Sequence, residues 1–113
     1  MKMKIAVPVN DSGLLDGHFG HCSYFSIHSI LNGEITSNEM IQPPPHEPGI
    51  LPIWLSEQKV THILASGMGN RAIELFREKN IEVHTGAPRM LANDLINAFL
   101  NNEIKFTNNS CDH

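Results

Sequence analysis

SYFSIHSILNGEITSNEMI, residues Ser23 to Ile41, sets the architecture of this chain. Its first half alternates Phe25, Ile27 and Leu31 with more polar neighbours, the period of a strand. Asn32-Gly33 follows, the strongest short hairpin signal, because a type I′ turn needs positive φ at both central residues. EITSNEMI, Glu34 to Ile41, is then the returning strand. On the alternation of the first strand, His28 is expected to face solvent.

Upstream, KIAVPV (Lys4 to Val9) is a short apolar strand ended by the turn formers Asn10-Asp11-Ser12-Gly13. Pro8 cannot donate to a ladder, so it must sit where no N–H is needed. Downstream of a proline loop, Pro52 suits the first turn of a helix carrying Ile53, Trp54 and Leu55. THILAS (Thr61 to Ser66) reads as a buried strand. Gly67-Met-Gly-Asn opens a helix with Ala72, Leu75 and Phe76 on one face and Asn80 at its end. IEVH (Ile81 to His84) is another short strand, after which Gly86-Ala-Pro88 is expected to open a last helix bearing Leu91, Leu95, Ala98 and Phe99. The order is β-β-β-α-β-α-β-α. Three strands form an antiparallel meander, and the later two, each separated by a helix, run parallel.

Following the chain direction through this order places four segments at one end of the sheet. The loop after the first strand holds HFGHC, His18 to Cys22. The loop after the third holds PPPHEPG, Pro43 to Gly49. The turn at Gly67 to Asn70 and the end of the fifth strand at His84 arrive at the same edge. Ligands of open α/β sheets bind at the carboxyl ends of the strands, so these segments are expected to make one site.

Length and composition bound the possibilities. One domain of 113 residues can bury a single core, and 41% hydrophobic with 18% charged residues is the balance of a soluble globular protein. A net charge of −4 argues against a nucleic-acid backbone or an anionic membrane as partner. Met1-Lys-Met-Lys leads straight into a strand with no long apolar leader, so a cytoplasmic location is expected. There Cys22 and Cys111 stay reduced and serve as thiolate ligands or as inert thiols. Residues 1–106 are expected to form the domain and the polar residues 107–113 a loose tail.

With the residues in this order, the chain resembles the dinitrogenase iron–molybdenum-cofactor biosynthesis family, which includes NifX- and NafY-type cofactor carriers and the C-terminal domain of NifB-type proteins. The resemblance rests on KIAVPV, His18-Phe19-Gly20, Tyr24-Phe25, ASGMGNRA (Ala65 to Ala72) and IEVH, an ordered series over roughly residues 3 to 100. HFGHC together with PPPHEPG and the terminal Cys111-Asp112-His113 is similar to a subgroup found outside dedicated nitrogen fixers, close to small orphan metallocluster proteins. The resemblance implies a three-layer ribonuclease-H-like α/β/α fold with a five-stranded mixed sheet in the order 3-2-1-4-5. It further implies binding of an iron–sulfur or iron–molybdenum-type cluster or its precursor, with His18 as the cluster-proximal histidine beside Phe19 and Gly20.

Each candidate has a plain reading beside the functional one. His21 and Cys22 pair an imidazole with a thiol, which suits zinc, copper or iron, yet Cys22 is equally a small buried hydrophobe. His46 after the stiff prolines is a ligand or a loop residue. Cys111 and His113 close over a metal or do nothing. Gly67, Met68, Gly69 and Asn70 turn amides toward an anion, with Arg71 and Arg89 near the rim, or they serve tight strand–helix packing. His62 and His84 read as structural.

Three functions compete on these residues. The first is a non-enzymatic carrier or scaffold of a metal–sulfur cluster, working with cluster donor and acceptor proteins, a cytosolic iron–sulfur ATPase among them. The second is a regulatory or structural zinc module using His18, Cys22, Cys111 and His113. The third is a metal-dependent hydrolase, disfavoured because such enzymes need several inward carboxylates and the central strands carry none.

Overall fold

Strand β1 (Lys2–Val9) runs through the middle of the sheet and pairs antiparallel with β2 (Tyr24–Leu31), which pairs in turn with β3 (Glu34–Ile41). Helix α1 (Ile50–Glu57) leads to β4 (His62–Leu64), α2 (Asn70–Glu78) to β5 (Glu82–His84), and α3 (Ala92–Leu100) follows. The strands lie in the order β3-β2-β1-β4-β5, with β4 parallel to both β1 and β5. A computed structural model describes residues 2–17, 19–45 and 47–106 of this chain. The expected α/β fold with its five-stranded mixed sheet is the one observed.

The hairpin turn is formed as its residues require, with φ of 52° at Asn32 and 85° at Gly33. Beyond their short regular spans, β4 and β5 stay bonded: Ala65 N–H donates to the His84 carbonyl at 2.9 Å, and Gly86 N–H to the Ser66 carbonyl at 2.8 Å. Alternation along β1 then sorts the core into two halves. Ile5, Val7 and Val9 pack with Leu64, Leu95 and Ile96 under α3. Ala6 packs with Phe25, Ile27, Ile63, Leu55 and Phe76 under α1 and α2.

Two expectations need correction. Helix α3 begins at Ala92, four residues beyond Pro88. Residues before it are taken by the loop after β1: Leu15 N–H donates to the Met90 carbonyl at 2.9 Å, and Ala92 N–H donates to the Gly13 carbonyl at 3.1 Å. The start of the helix is thus set by a partner far away in the chain. His28 is the second correction, since it is 2% exposed and not solvent-facing. It stands opposite Ile5 of β1 and Asn38 of β3, on the face that α3 covers. Its Nε2 lies 2.7 Å from the Ser26 hydroxyl, and its Nδ1 has no hydrogen-bond partner.

All three helices end alike. Lys59, Asn80 and Asn102 adopt φ of 69°, 61° and 57°. The residue after each sends its N–H back five residues: Val60 to the Leu55 carbonyl, Ile81 to that of Phe76, Glu103 to that of Ala98. These are Schellman endings, which satisfy orphan carbonyls and reverse the chain. After α1 and α2 the reversal feeds β4 and β5. After α3 it lays residues 101–106 back over the core, where Ile104 and Phe106 pack with the α3-side cluster.

Candidate functional site

The loop after β1 is tied down before it reaches the histidine-rich segment. Asn10 Oδ1 accepts from the amides of Ser12 and Leu14 at 2.8 and 3.1 Å. Gly13, at φ +84°, completes the turn, and Asp16 N–H donates to the Pro8 carbonyl at 2.9 Å. Phe19–His21 then forms one 3₁₀ turn. Phe19 drops its ring edge-on against Phe25 and Phe76, at centroid distances of 5.5 and 5.6 Å. This aromatic anchor holds Gly20, His21 and Cys22 at the sheet's upper edge.

There the loops after β1 and β3 meet. A cavity of about 440 Å³ is walled on one side by Asp11, His21, Cys22 and Tyr24 and on the other by Gln42, Pro43 and Pro44. The stiff prolines, lacking donors, form a wall that cannot collapse onto the cavity. A smaller apolar cavity of about 140 Å³ adjoins it through the shared residues Gly20 and Leu51, with Phe19, Pro52 and Phe76 around it.

Cys22 lies at the junction of cavity and core. Only 8% exposed, it packs with the cluster of Phe25 and Leu55 while contributing to the cavity lining. Burial, and then the negative charge of Asp16, push its thiol up to about 12, against the opposing pull of backbone hydrogen bonds from Cys22 and Val9. The thiol is therefore protonated at neutral pH, and a metal binding there must displace its proton. His21, by contrast, is exposed at the rim.

The Gly67 to Arg71 segment reaches the same end of the sheet but does not line the larger cavity. Met68 packs against the buried cluster on the α1–α2 side, while Gly67, Gly69, Asn70 and Arg71 are exposed. Tight packing does not account for the two glycines. A Cβ added at Gly67 or Gly69 meets nothing within 4 Å, and neither residue has positive φ. What they leave is open backbone at the start of α2, where a ligand can approach closely.

Among the described residues, no group of three or more His, Cys, Asp or Glu side chains is placed to hold a metal ion. His18, His46, Cys111 and His113 lie outside the described residues. Among the described residues, the side-chain metal donors in the cavity wall are Asp11, His21 and Cys22. Asp11 is the single carboxylate among the cavity's described lining residues, so the paired carboxylates of a two-metal hydrolase are not gathered there. No described helix is long and apolar enough to cross a membrane.

One cluster was not recognised in the sequence: His62, Glu82 and His84 converge on the α3 face, with each imidazole Nε2 3.3 Å from a different oxygen of Glu82. Only the parallel register, which sets His62 beside Glu82 and Leu64 beside His84, brings them together.

Known proteins resemble this chain in sequence or in fold. An uncharacterised Methanocaldococcus jannaschii protein, MJ0580, is 34% identical over 87 residues, covering 73% of each chain. The crystal structure of PH0822 superposes with a TM-score of 0.85 at 28% identity, over 98% of this chain and 100% of that one. The apo form of the orange protein from Desulfovibrio gigas shares the fold with a TM-score of 0.77 at 18% identity, over 92% of both chains. A family model described as dinitrogenase iron–molybdenum cofactor matches residues 1–102, and the chain belongs to that family.

Proposed function

We propose that this protein is a non-enzymatic carrier or scaffold that takes up an iron–sulfur or molybdenum-containing cluster, or its precursor, during cofactor assembly. Family membership supports a role in cofactor biosynthesis and contact with cluster-handling proteins. The observation that carries the finer reading is the cavity of about 440 Å³ between the loops after β1 and β3, with one buried thiol and one rim imidazole in its wall. A wide cavity with few ligands binds through shape, backbone amides and one or two exchangeable bonds. Such cargo can be handed on, whereas a cluster held by four protein ligands stays.

In this reading His21 and Cys22 are the ligands supplied from the described loop. His18, His46, Cys111 and His113 are the further ligands implied by the sequence, and Gly67 to Arg71 contact the cargo's charge from the α2 side. The partners are a cluster donor and an acceptor, a cytosolic iron–sulfur ATPase among the candidates.

Anaerobic purification, followed by reconstitution with ferrous iron and sulfide and separately with a thiomolybdate, tests this directly. Charge-transfer absorption with stoichiometric metal and acid-labile sulfide is the expected result. In Cys22→Ser, cluster retention should fall at least tenfold while unfolding stays cooperative, at a cost of about 1–2 kcal/mol for a hydroxyl in a largely apolar place. A colourless protein holding one zinc per chain, in wild type and variant alike, would overturn the carrier in favour of a zinc module.

A further inference from the structure

Beneath α3, one carboxylate serves two imidazoles. Glu82 Oε2 lies 3.3 Å from His62 Nε2, and Glu82 Oε1 lies 3.3 Å from His84 Nε2. The two rings stack nearly parallel, 11° apart in plane with centroids separated by 6.2 Å. Both rings are largely covered: the side chains of His62 and His84 are 16% and 15% exposed, against 66% for Glu82. His84 Nε2 is itself inaccessible and makes no hydrogen bond.

What covers His84 is the end of the described chain. Phe99 of α3 meets its ring at 5.1 Å, Phe106 meets it at 5.6 Å, and the two phenylalanines meet each other at 5.6 Å. Phe99 also touches His62, at 6.3 Å. Phe106 is brought there by the reversal at Asn102, so the histidine pair is one of the surfaces on which residues 101–106 rest.

We infer that His62, Glu82 and His84 form a proton-sensitive latch that holds residues 101–106 on the sheet at neutral pH and releases them when both imidazoles carry a proton. A first proton on either ring is matched by the Glu82 carboxylate already in place. Among the described residues, no second carboxylate acts on His62. Phe99 and Phe106, the rings packed on the pair from α3 and the C-terminal segment, bring none, and the side-chain charges acting on His62 are those of Glu82 and His84. Thr61, whose hydroxyl lies 2.7 Å from His62 Nδ1, is neutral. An unmatched imidazolium under two aromatic rings must reach water. Lifting Phe106 is the shortest way for His84 to do so, because Leu95 and Ile96 hold α3 fully buried whereas Ile104 and Phe106 are only partly buried against the same cluster. Acid conditions therefore loosen this segment before the rest of the domain, independently of whether the cavity carries a cluster.

Hydrogen–deuterium exchange on the full chain at pH 7.5 and 5.5, corrected for intrinsic rates, tests the latch. Protection of residues 101–106 should fall on the order of tenfold or more at pH 5.5 while β1 and β2 keep theirs. His62→Gln leaves the Phe99 and Phe106 contacts of His84 intact but removes the second proton, so the acid loss should disappear. Equal protection of the segment at both pH values would overturn the inference. So would an equal loss across β1 and β2, or an acid loss that persists unchanged in His62→Gln.

Discussion

The two faces of the sheet are built from different chemistry. Under α1 and α2 the buried cluster is Phe25, Phe76, Leu55, Ile27, Ile63 and their neighbours, with Cys22 its most polar member. Under α3 lie comparable aliphatic residues, but His28, His62 and His84 share that side with them. The cavity proposed to take cargo opens beside the first face, and the buried histidines of the sheet lie in the second. The Cys22 thiol in the cavity wall, pushed up to about 12, stays protonated through the neutral range, while on the opposite face burial opposes protonation of His28 and His62. Separating the two lets stability or segment docking vary without altering the wall of the cavity.

The largest effect should come from the aromatic side. Phe76 is fully buried and carries the ring of Phe19, which in turn sets the position of Gly20, His21 and Cys22. Phe76→Ala should cost about 3–5 kcal/mol, a large share of what a domain of this size has. Urea unfolding measures the loss. Leu95→Ala, equally buried under α3, should cost about 2–5 kcal/mol and leave cluster uptake unaltered once the variant is folded. If uptake suffered equally in both variants, the functional separation of the faces would be wrong.

Next in size is the response to acid. Burial lowers the pKa of His28, and burial together with the His84 charge outweighs Glu82 in lowering that of His62. A histidine with a folded value below its unfolded value of about 6.5 binds more protons when unfolded. Its contribution is therefore present in full above about pH 6.5 and is lost as pH falls through the folded value. Each such group steepens the decline by at most about 1.4 kcal/mol per pH unit. Urea midpoints collected from pH 7.5 to 5 should fall accordingly, and His28→Gln, which can still bond Ser26, should make the slope shallower. A profile identical to wild type in that variant would mean that His28 takes up its proton equally in the folded and unfolded chains.

How far this could be seen in advance follows from the range of the interactions involved. The Asn32-Gly33 hairpin is local, and alternation of strands with helices along the chain implies the parallel pairs, so the pairing directions were legible, while the order 3-2-1-4-5 was implied by the family resemblance. The meeting of the HFGHC and proline loops followed from chain direction, and Cys22 with Pro43 and Pro44 does line one cavity. What escaped depends on distant partners. Residues before α3 look like a helix start, yet they spend their backbone groups on Gly13 and Leu15. His28 sits in a polar alternation that gives no hint of cover on both faces. The His62–Glu82–His84 group needs the β4–β5 register to exist at all. For Gly67-Met-Gly-Asn the sequence left two readings, amides turned toward an anion or tight packing, and the open space around both glycines removes the second.

The smallest expected effect compares the helix endings that close the two faces. Left-handed backbone costs an ordinary L-residue roughly 1–2 kcal/mol, and asparagine bears it best after glycine. Helix α2 and helix α3 end on Asn80 and Asn102, whereas α1, beside the cavity, ends on Lys59 at φ 69°. Lys59 is exposed, and Val60 just beyond it is buried, so the turn must be kept for β4 to start in register. Lys59→Gly removes the steric strain but frees the unfolded chain somewhat, leaving a net gain of about 0.5–1 kcal/mol. Asn102→Gly, relieving less strain, should gain only a few tenths of a kcal/mol. Paired thermal melts at pH 7.5 read both, and the order of the two shifts is the informative quantity. A larger gain at Asn102 would place the greater backbone strain on the α3 face and reverse this last contrast between the two sides of the sheet.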